Sequence, residues 1–275
     1  MGSMIYLILL FVGLVLGSFV NALVWRLQAQ EKAPKSKDLS ILRGRSMCPH
    51  CRHTLSARDL IPVLSWLSLR GKCRYCHKPI GWQYPAVELI TMGLVVASYA
   101  LWPMELNGAG LVRFIFWPPL IAGFVALVVY DLRWMLLPTK IIYSLMALVT
   151  MQWLIILVMG DLTAVQLLDI FLGVLVGGGL FYAIFQVSAG KWIGGGDVRL
   201  GFLLGLIVGS PVYSFLFLFL AAAIGSLVSV PLLAIGKVTR QTRIPFGPFL
   251  LIACVVVVLF GADMVSWYER AVLLR

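Results

Sequence analysis

Along most of the chain the apolar positions run together without the alternation of a half-buried strand or the narrow stripe of a surface helix. Continuous apolar runs predict eight spans, at about residues 4–25, 84–102, 112–130, 141–160, 165–187, 198–209, 212–236 and 246–267. Transmembrane barrels read as weak period-2 segments of about 10 residues, which these runs are not. The sixth run is short for about 30 Å of hydrocarbon and ends at Ser210-Pro211. The one long hydrophilic stretch falls between the first two runs. The expected organisation is therefore all-α and polytopic: a first transmembrane helix over 4–25, a small cytoplasmic domain over 26–83, and a seven-helix membrane domain over 84–268. Met1–Ser3 read as a cloning remnant outside the fold. The first run is too long for a signal-peptide core and is expected to stay as an anchor.

Composition agrees and removes the soluble alternatives. Of 275 residues, 61% are hydrophobic and 12% charged, at a mean hydropathy of +0.99; soluble domains hold about 45–50% and 25%. The net charge of +11 is uneven. Between Arg26 and Lys78 twelve basic residues face only Glu31, Asp38 and Asp59. A basic block beside membrane spans reads as positive-inside topology rather than nucleic-acid binding. With that loop inside and eight spans, the N-terminus lies outside. All but Arg113, Arg270 and Arg275 of the 22 basic residues, Lys237, Arg240 and Arg243 among them, then fall on the inner side. Anionic membrane lipids are the expected partners of that surface, at about 1 kcal/mol per basic residue.

Two features within this frame carry chemistry. Cys48-Pro-His-Cys51 and Cys73-Arg-Tyr-Cys76 form a pair of C-x2-C hairpins, the spacing that delivers four thiolates to a tetrahedral zinc ion. A loop this small needs such a staple, and four thiolates leave no open catalytic position. Disulfides are the alternative, disfavoured in a reducing cytosol; His50, His53 and His77 are nearby substitutes as ligands. Cys254, alone in the last span, reads as a small core residue. Gly177–Gly179 and Gly201, Gly205 and Gly209 read as sites of close helix approach.

The second feature is acid at membrane depth, where charge is costly and marks function: Glu88, Asp131, Asp169 and Asp197. Taken singly, Asp131 and Asp197 read as interfacial carboxylates paired with Arg133 or Arg199. Taken together they lie at the same inner boundary, and two carboxylates sharing one proton can activate water and protonate a leaving amine. Gly194 and Gly196, in Gly194-Gly-Gly-Asp197, remove bulk beside the second aspartate. A helix C-terminus at Asp131 and a helix N-terminus at Asp197 predict the latter as the ionised base and the former as the protonated acid. Glu88 is a secondary candidate, and Asp169 reads as a packing or interfacial residue. A proton-coupled transporter using Asp131 and Asp197 as a relay is the rival from another class.

Over nearly its whole length the chain resembles the type IV prepilin peptidases, intramembrane aspartic proteases of the GxGD type. The resemblance rests on Gly17-Ser-Phe-Val-Asn21 with Arg26, the four cysteines, Asp59-Leu-Ile-Pro62 through Trp66, and Leu69-Arg-Gly-Lys-Cys73. It continues through Tyr84-Pro-Ala-Val-Glu88, Asp131 with Pro138, Gly194–Asp197, and Ile244-Pro-Phe-Gly-Pro-Phe-Leu250. It implies catalytic roles for Asp131 and Asp197. It implies cleavage of prepilin or pseudopilin leaders after a glycine at the cytoplasmic face of the bacterial inner membrane, in service of a type IV pilus, type II secretion or DNA uptake. N-methylation of the new terminus from S-adenosylmethionine is implied as a second activity, with zinc as a structural metal. Two departures stand out: Thr139 where the family often has Asp, and Arg199 where it often has Lys.

Overall fold

The computed structural model describes residues 2–32, 44–236, 239, 242 and 244–273. The expectations for Lys35, Lys37, Asp38, Arg43, Lys237, Arg240, Arg243 and Arg275 lie outside them. Among the described residues all regular structure is helical, with only two isolated bridges, Met47 with Thr54 and Lys72 with Pro79.

Helices stand at all eight expected places: α1 (Gly2–Lys32), α3 (Gln83–Ala100), α4 (Gly108–Trp134), α5 (Thr139–Val158), the α6–α7 rod, α8 (Gly195–Val208), α9 (Pro211–Ala234) and α10 (Gly247–Tyr268). A short α2 (Leu64–Ser68) lies in the polar loop. The rod is α6 (Ala164–Val174) and α7 (Leu180–Val187) joined by a π-helical turn, Leu175–Gly179. Six of these segments are long and apolar enough to cross a membrane; α3 and α8 are not among the six. The chain is a multi-pass membrane protein. Helix α8 has 14 residues, about 21 Å at 1.5 Å per residue, so the short sixth run is short in fact.

Two boundaries differ from expectation. Helix α1 begins at Gly2, so Gly2 and Ser3, expected to lie outside the fold, are helical, and it runs on to Lys32. Helix α4 continues past 130 until Met135 caps it in the left-handed region (φ 52°), donating its N–H to the Asp131 carbonyl. Asp131 thereby sits in the last turn.

The chain forms two compact units, residues 1–100 with 117–129, and residues 101–116 with 130–275. In the first, α1 packs on α3, and glycines set the separation. A Cβ at Gly13 would lie 2.6 Å from Met92 Cα, and one at Gly17 would lie 2.6 Å from Glu88 Cα. Val20, Val24, Val87 and Val95 are buried here. In the second unit α8 is central, packed by α5, α6, the π turn, α7, α9 and α10. Its Leu200, Leu203 and Leu204 are wholly buried, with Phe217 and Leu250. Arg113 donates to the Ile207 carbonyl at 3.2 Å and stacks over Trp153, whose indole bonds the Leu206 carbonyl.

Candidate functional site

Within the second unit, Asp131 and Asp197 come together. Asp131 is in the last turn of α4 and 5% exposed; Asp197 is the third residue of α8, in its first turn. Their carboxyls are near neighbours. Each lies against a glycine, Asp131 against Gly247 and Asp197 against Gly194. Gly247 opens α10, where the first N–H groups have no partner within the helix.

Glycine is required where these elements meet. A Cβ at Gly247 would lie 2.6 Å from Asp131 Oδ2. A Cβ at Gly196 would lie 3.1 Å from Leu137 Cβ, and the Gly247 position would also press Leu137. Leu137, in the short link between α4 and α5, thus wedges between the two glycine-opened helix starts. At Gly194 the neighbour is Asp197 itself, at 3.4 Å. Gly247 is the site residue that chemistry-bearing side chains did not reveal. Its signal was the Ile244-Pro-Phe-Gly-Pro run, a glycine fixed between prolines at a helix start.

The arginines expected to pair with these carboxylates are engaged elsewhere. Arg133 lies over the Trp134 ring at 5.6 Å. Arg199 donates from Nη1 to Thr139 Oγ1 at 2.8 Å. The two departures from the family pattern are thus hydrogen-bonded partners. Asp169 is half-buried on α6, away from any cluster of metal-ligating groups among the described residues.

The first unit brings the four cysteines together. Their sulfurs all lie within 4.8 Å of one another, and all are free thiols. The two hairpins repeat one geometry. The Cys48 N–H bonds the His53 carbonyl, and Arg52 N–H returns to Cys48; the Cys73 N–H bonds Lys78, and His77 N–H returns to Cys73. Arg52 and His77, each just after the second cysteine, take positive φ of 57° and 56°. Cys48 and Cys73 are 2% exposed. Burial would push the Cys73 thiol up, but backbone N–H groups of Cys76 and Tyr75 and the neighbouring thiols bring it down to about 7. A set of sulfurs so placed fits zinc, and the histidines are not in the cluster. His53 instead stacks on Tyr75.

Beside the hairpins, Asp59 accepts from Arg74 Nε (2.7 Å), Ser56 Oγ (2.8 Å) and Tyr75 OH (3.1 Å). Glu88, on α3, accepts the Val63 N–H at 2.7 Å.

The pattern described as Bacterial Peptidase A24 N-terminal domain matches residues 11–102, and that of the Type IV leader peptidase family matches residues 119–230. A prepilin leader peptidase/N-methyltransferase of Bacillus subtilis (strain 168) is 30% identical over 269 residues, 97% of this chain and 98% of its own. Its counterparts in Stutzerimonas stutzeri (31% over 279 residues; 94% and 92%) and Aeromonas hydrophila (32% over 276 residues; 93% and 90%) are similarly close. No solved structure matches the chain. The transporter reading finds no support among these relatives. Likeness of this extent, over both units, makes the chain a member of the type IV leader peptidase family.

Proposed function

We propose that the chain is a membrane aspartic endopeptidase that removes the leader of type IV prepilins or pseudopilins after a glycine. Cleavage takes place at the cytoplasmic face of the inner membrane, and Asp131 and Asp197 carry it. The observation that supports this is the meeting of two carboxylates from distant helices, each lying against a glycine, at the start of a helix opened by glycines. In the first turn of α8, Asp197 is the ionised base. It takes a proton from water as the water oxygen attacks the scissile carbonyl carbon. Asp131, in the last turn of α4, gives its proton to the amine nitrogen as the C–N bond breaks. Gly194 and Gly196 leave room for an extended substrate backbone.

The relatives are named as N-methyltransferases as well, and we extend that second activity to this chain, with S-adenosylmethionine as donor. Cys48, Cys51, Cys73 and Cys76 hold a structural zinc that staples a cytoplasmic loop; the N-terminus lies outside, and the basic inner surface meets anionic lipid rather than nucleic acid. Incubation of the purified enzyme with a synthetic prepilin, read by mass spectrometry with and without S-adenosylmethionine, tests the whole reading. Release of the leader at the glycine and a gain of one methyl on the new terminus are expected. An intact prepilin with folded enzyme would refute it.

A further inference from the structure

Helices α1 and α3 pack antiparallel in a register that three contacts fix. A Cβ at Gly13 would meet Met92, one at Gly17 would meet Glu88, and Asn21 Nδ2 donates to the Tyr84 carbonyl at 2.9 Å. The three pairs follow one another at one-turn intervals. Glu88 is therefore level with Gly17, eight residues inside Trp25, where the first apolar run ends and Arg26 opens the basic block. Eight residues of helix rise about 12 Å. The Glu88 carboxylate accepts the Val63 N–H at 2.7 Å, and a glutamate side chain spans less than half that rise. The polar loop thus dips back beside α1 and α3, below the level of Trp25, and α2 starts there at Leu64.

At this depth the segment is apolar on both faces. Trp66 and Leu69 turn toward α1, lining a hollow with its Ser18 and Trp25, and Trp66 Nε1 donates to the Ile80 carbonyl at 3.0 Å. Leu64 and Leu67, three residues apart and so on one face of α2, point the other way and are 64% and 57% exposed. Leu60 and Ile61, just before them, are exposed as well. Among the described residues of the loop, the other exposed large apolar side chains are Tyr75 and Trp82. Trp82 stands one residue before α3, where an indole marks a membrane interface. A helix that is apolar all round belongs in an apolar medium. Charge frames the segment: Arg58 and Arg70 are exposed at its two ends. Asp59, its one acid, is paired with Arg74 at 2.7 Å.

We infer that α2 is seated in the membrane: Leu60, Ile61, Leu64 and Leu67 enter the acyl layer of the phospholipid on the loop's side, and Arg58 and Arg70 meet its phosphates. Elements that lie in the interface bury their apolar face about 5–10 Å into the headgroup and acyl boundary, which is the depth that the bond between Val63 and Glu88 sets. A second copy of the chain could reach a face this deep only through the bilayer, so lipid is the occupant. The inference goes beyond the attraction of a basic surface to anionic lipid, because it puts four named side chains among acyl chains. The two C-x2-C hairpins flank the segment in sequence, so its seat holds them against the headgroups.

Photolabelling of the full wild-type chain tests this, in vesicles of phosphatidylcholine and phosphatidylglycerol that include a phosphatidylcholine with a diazirine on its acyl chain. Trypsin cuts after Arg52, Arg58 and Arg70, so residues 53–58 and 59–70 come off as separate peptides. The 59–70 peptide is expected to carry acyl label within about threefold of the peptide that holds α9, and at least about tenfold more than the 53–58 peptide. Leu64→Ser with Leu67→Ser is expected to cut the label on 59–70 at least about fivefold, with the circular dichroism unchanged. The comparison of wild-type peptides stands by itself if that double variant does not fold. Label on 59–70 no higher than on 53–58, with α9 labelled, would overturn the inference, whether water or a second copy covers the face. A folded double variant that keeps full label would overturn it as well.

Discussion

Gly247 lies against the Asp131 carboxylate so closely that it leaves no room for a Cβ, which would fall 2.6 Å from Asp131 Oδ2. The missing side chain of one residue thus makes room for that carboxylate. Gly247→Ala displaces either Asp131 or the start of α10. A misplacement of about 1 Å costs on the order of 10²-fold in rate. We expect kcat for prepilin cleavage to fall by about that factor with KM within about threefold, measured by initial rates on a synthetic prepilin. An alanine variant with wild-type kcat would show that Asp131 needs no such fit.

Asp131 and Asp197 act as one unit in the proposed mechanism, so their losses do not add. Asp131→Asn and Asp197→Asn are each expected to lower cleavage by about 10³-fold or more, and the double variant to be no worse than either. Bound zinc and the thermal unfolding midpoint should stay near wild type. Rates that multiply across the double variant would mean that the carboxylates work independently.

Much of this is legible in the sequence. The apolar runs placed all eight helical segments because within a bilayer a continuous apolar run satisfies its backbone as a helix. The short sixth run was visible because Ser210-Pro211 ends it, and α8 stops at Gly209 in the left-handed region. The C-x2-C spacing located the cysteine cluster because hairpin geometry is local. Helix ends were less legible: Met135 caps α4 without being glycine, so nothing in its side chain marked the stop. The partners of Arg133 and Arg199 were likewise not legible. Sequence proximity suggested the nearest aspartate, whereas the fold gives Arg199 a hydroxyl on α5 and Arg133 an indole. Gly247 needed three elements in place before its role appeared.

The cysteine hairpins make a prediction about metal. With four sulfurs within 4.8 Å, the purified enzyme should carry about one zinc per chain. A strong chelator should release it and open the loop, because metal binding and folding are coupled in small sites. Cys48→Ser or Cys73→Ser should cut zinc content to a small fraction and speed proteolysis between residues 44 and 80. Elemental analysis beside a limited-trypsin time course reads both. Full zinc retention in both variants would mean that the metal is held elsewhere.

Acid should unlock the same loop in a graded way through Asp59. Burial pushes this carboxyl up, but donors from Arg74, Ser56 and Tyr75 outweigh it and hold it at about 2 instead of 3.8. A carboxyl depressed in the folded state stabilises it fully above the unfolded value, and that contribution disappears as pH falls through the folded one. Asp59→Asn should therefore speed pepsin cleavage of the loop several-fold at pH 5, with the gap closing between about pH 4 and 2. A gap of constant size down to pH 2 would assign the effect to lost packing rather than charge.

Helix α8 carries Asp197, and its seat depends on glycine against glycine. A Cβ at Gly205 would lie 2.5 Å from the Gly173 carbonyl oxygen, and one at Gly201 would lie 2.5 Å from that of Gly177. Both neighbours are backbone, on the rod that includes the π turn, so no side chain can swing aside. Overpacking costs typically 1–3 kcal/mol even where side chains can yield. Gly205→Val should cost at least about that, lowering the thermal midpoint, and should lower cleavage as well, since α8 cannot move without moving Asp197. Gly179, on the same π turn, has nothing within 4 Å of its Cβ position, and Gly179→Ala should leave both stability and cleavage within error. Equal loss in the two variants would mean that glycine serves backbone freedom in this stretch rather than the close approach of α8.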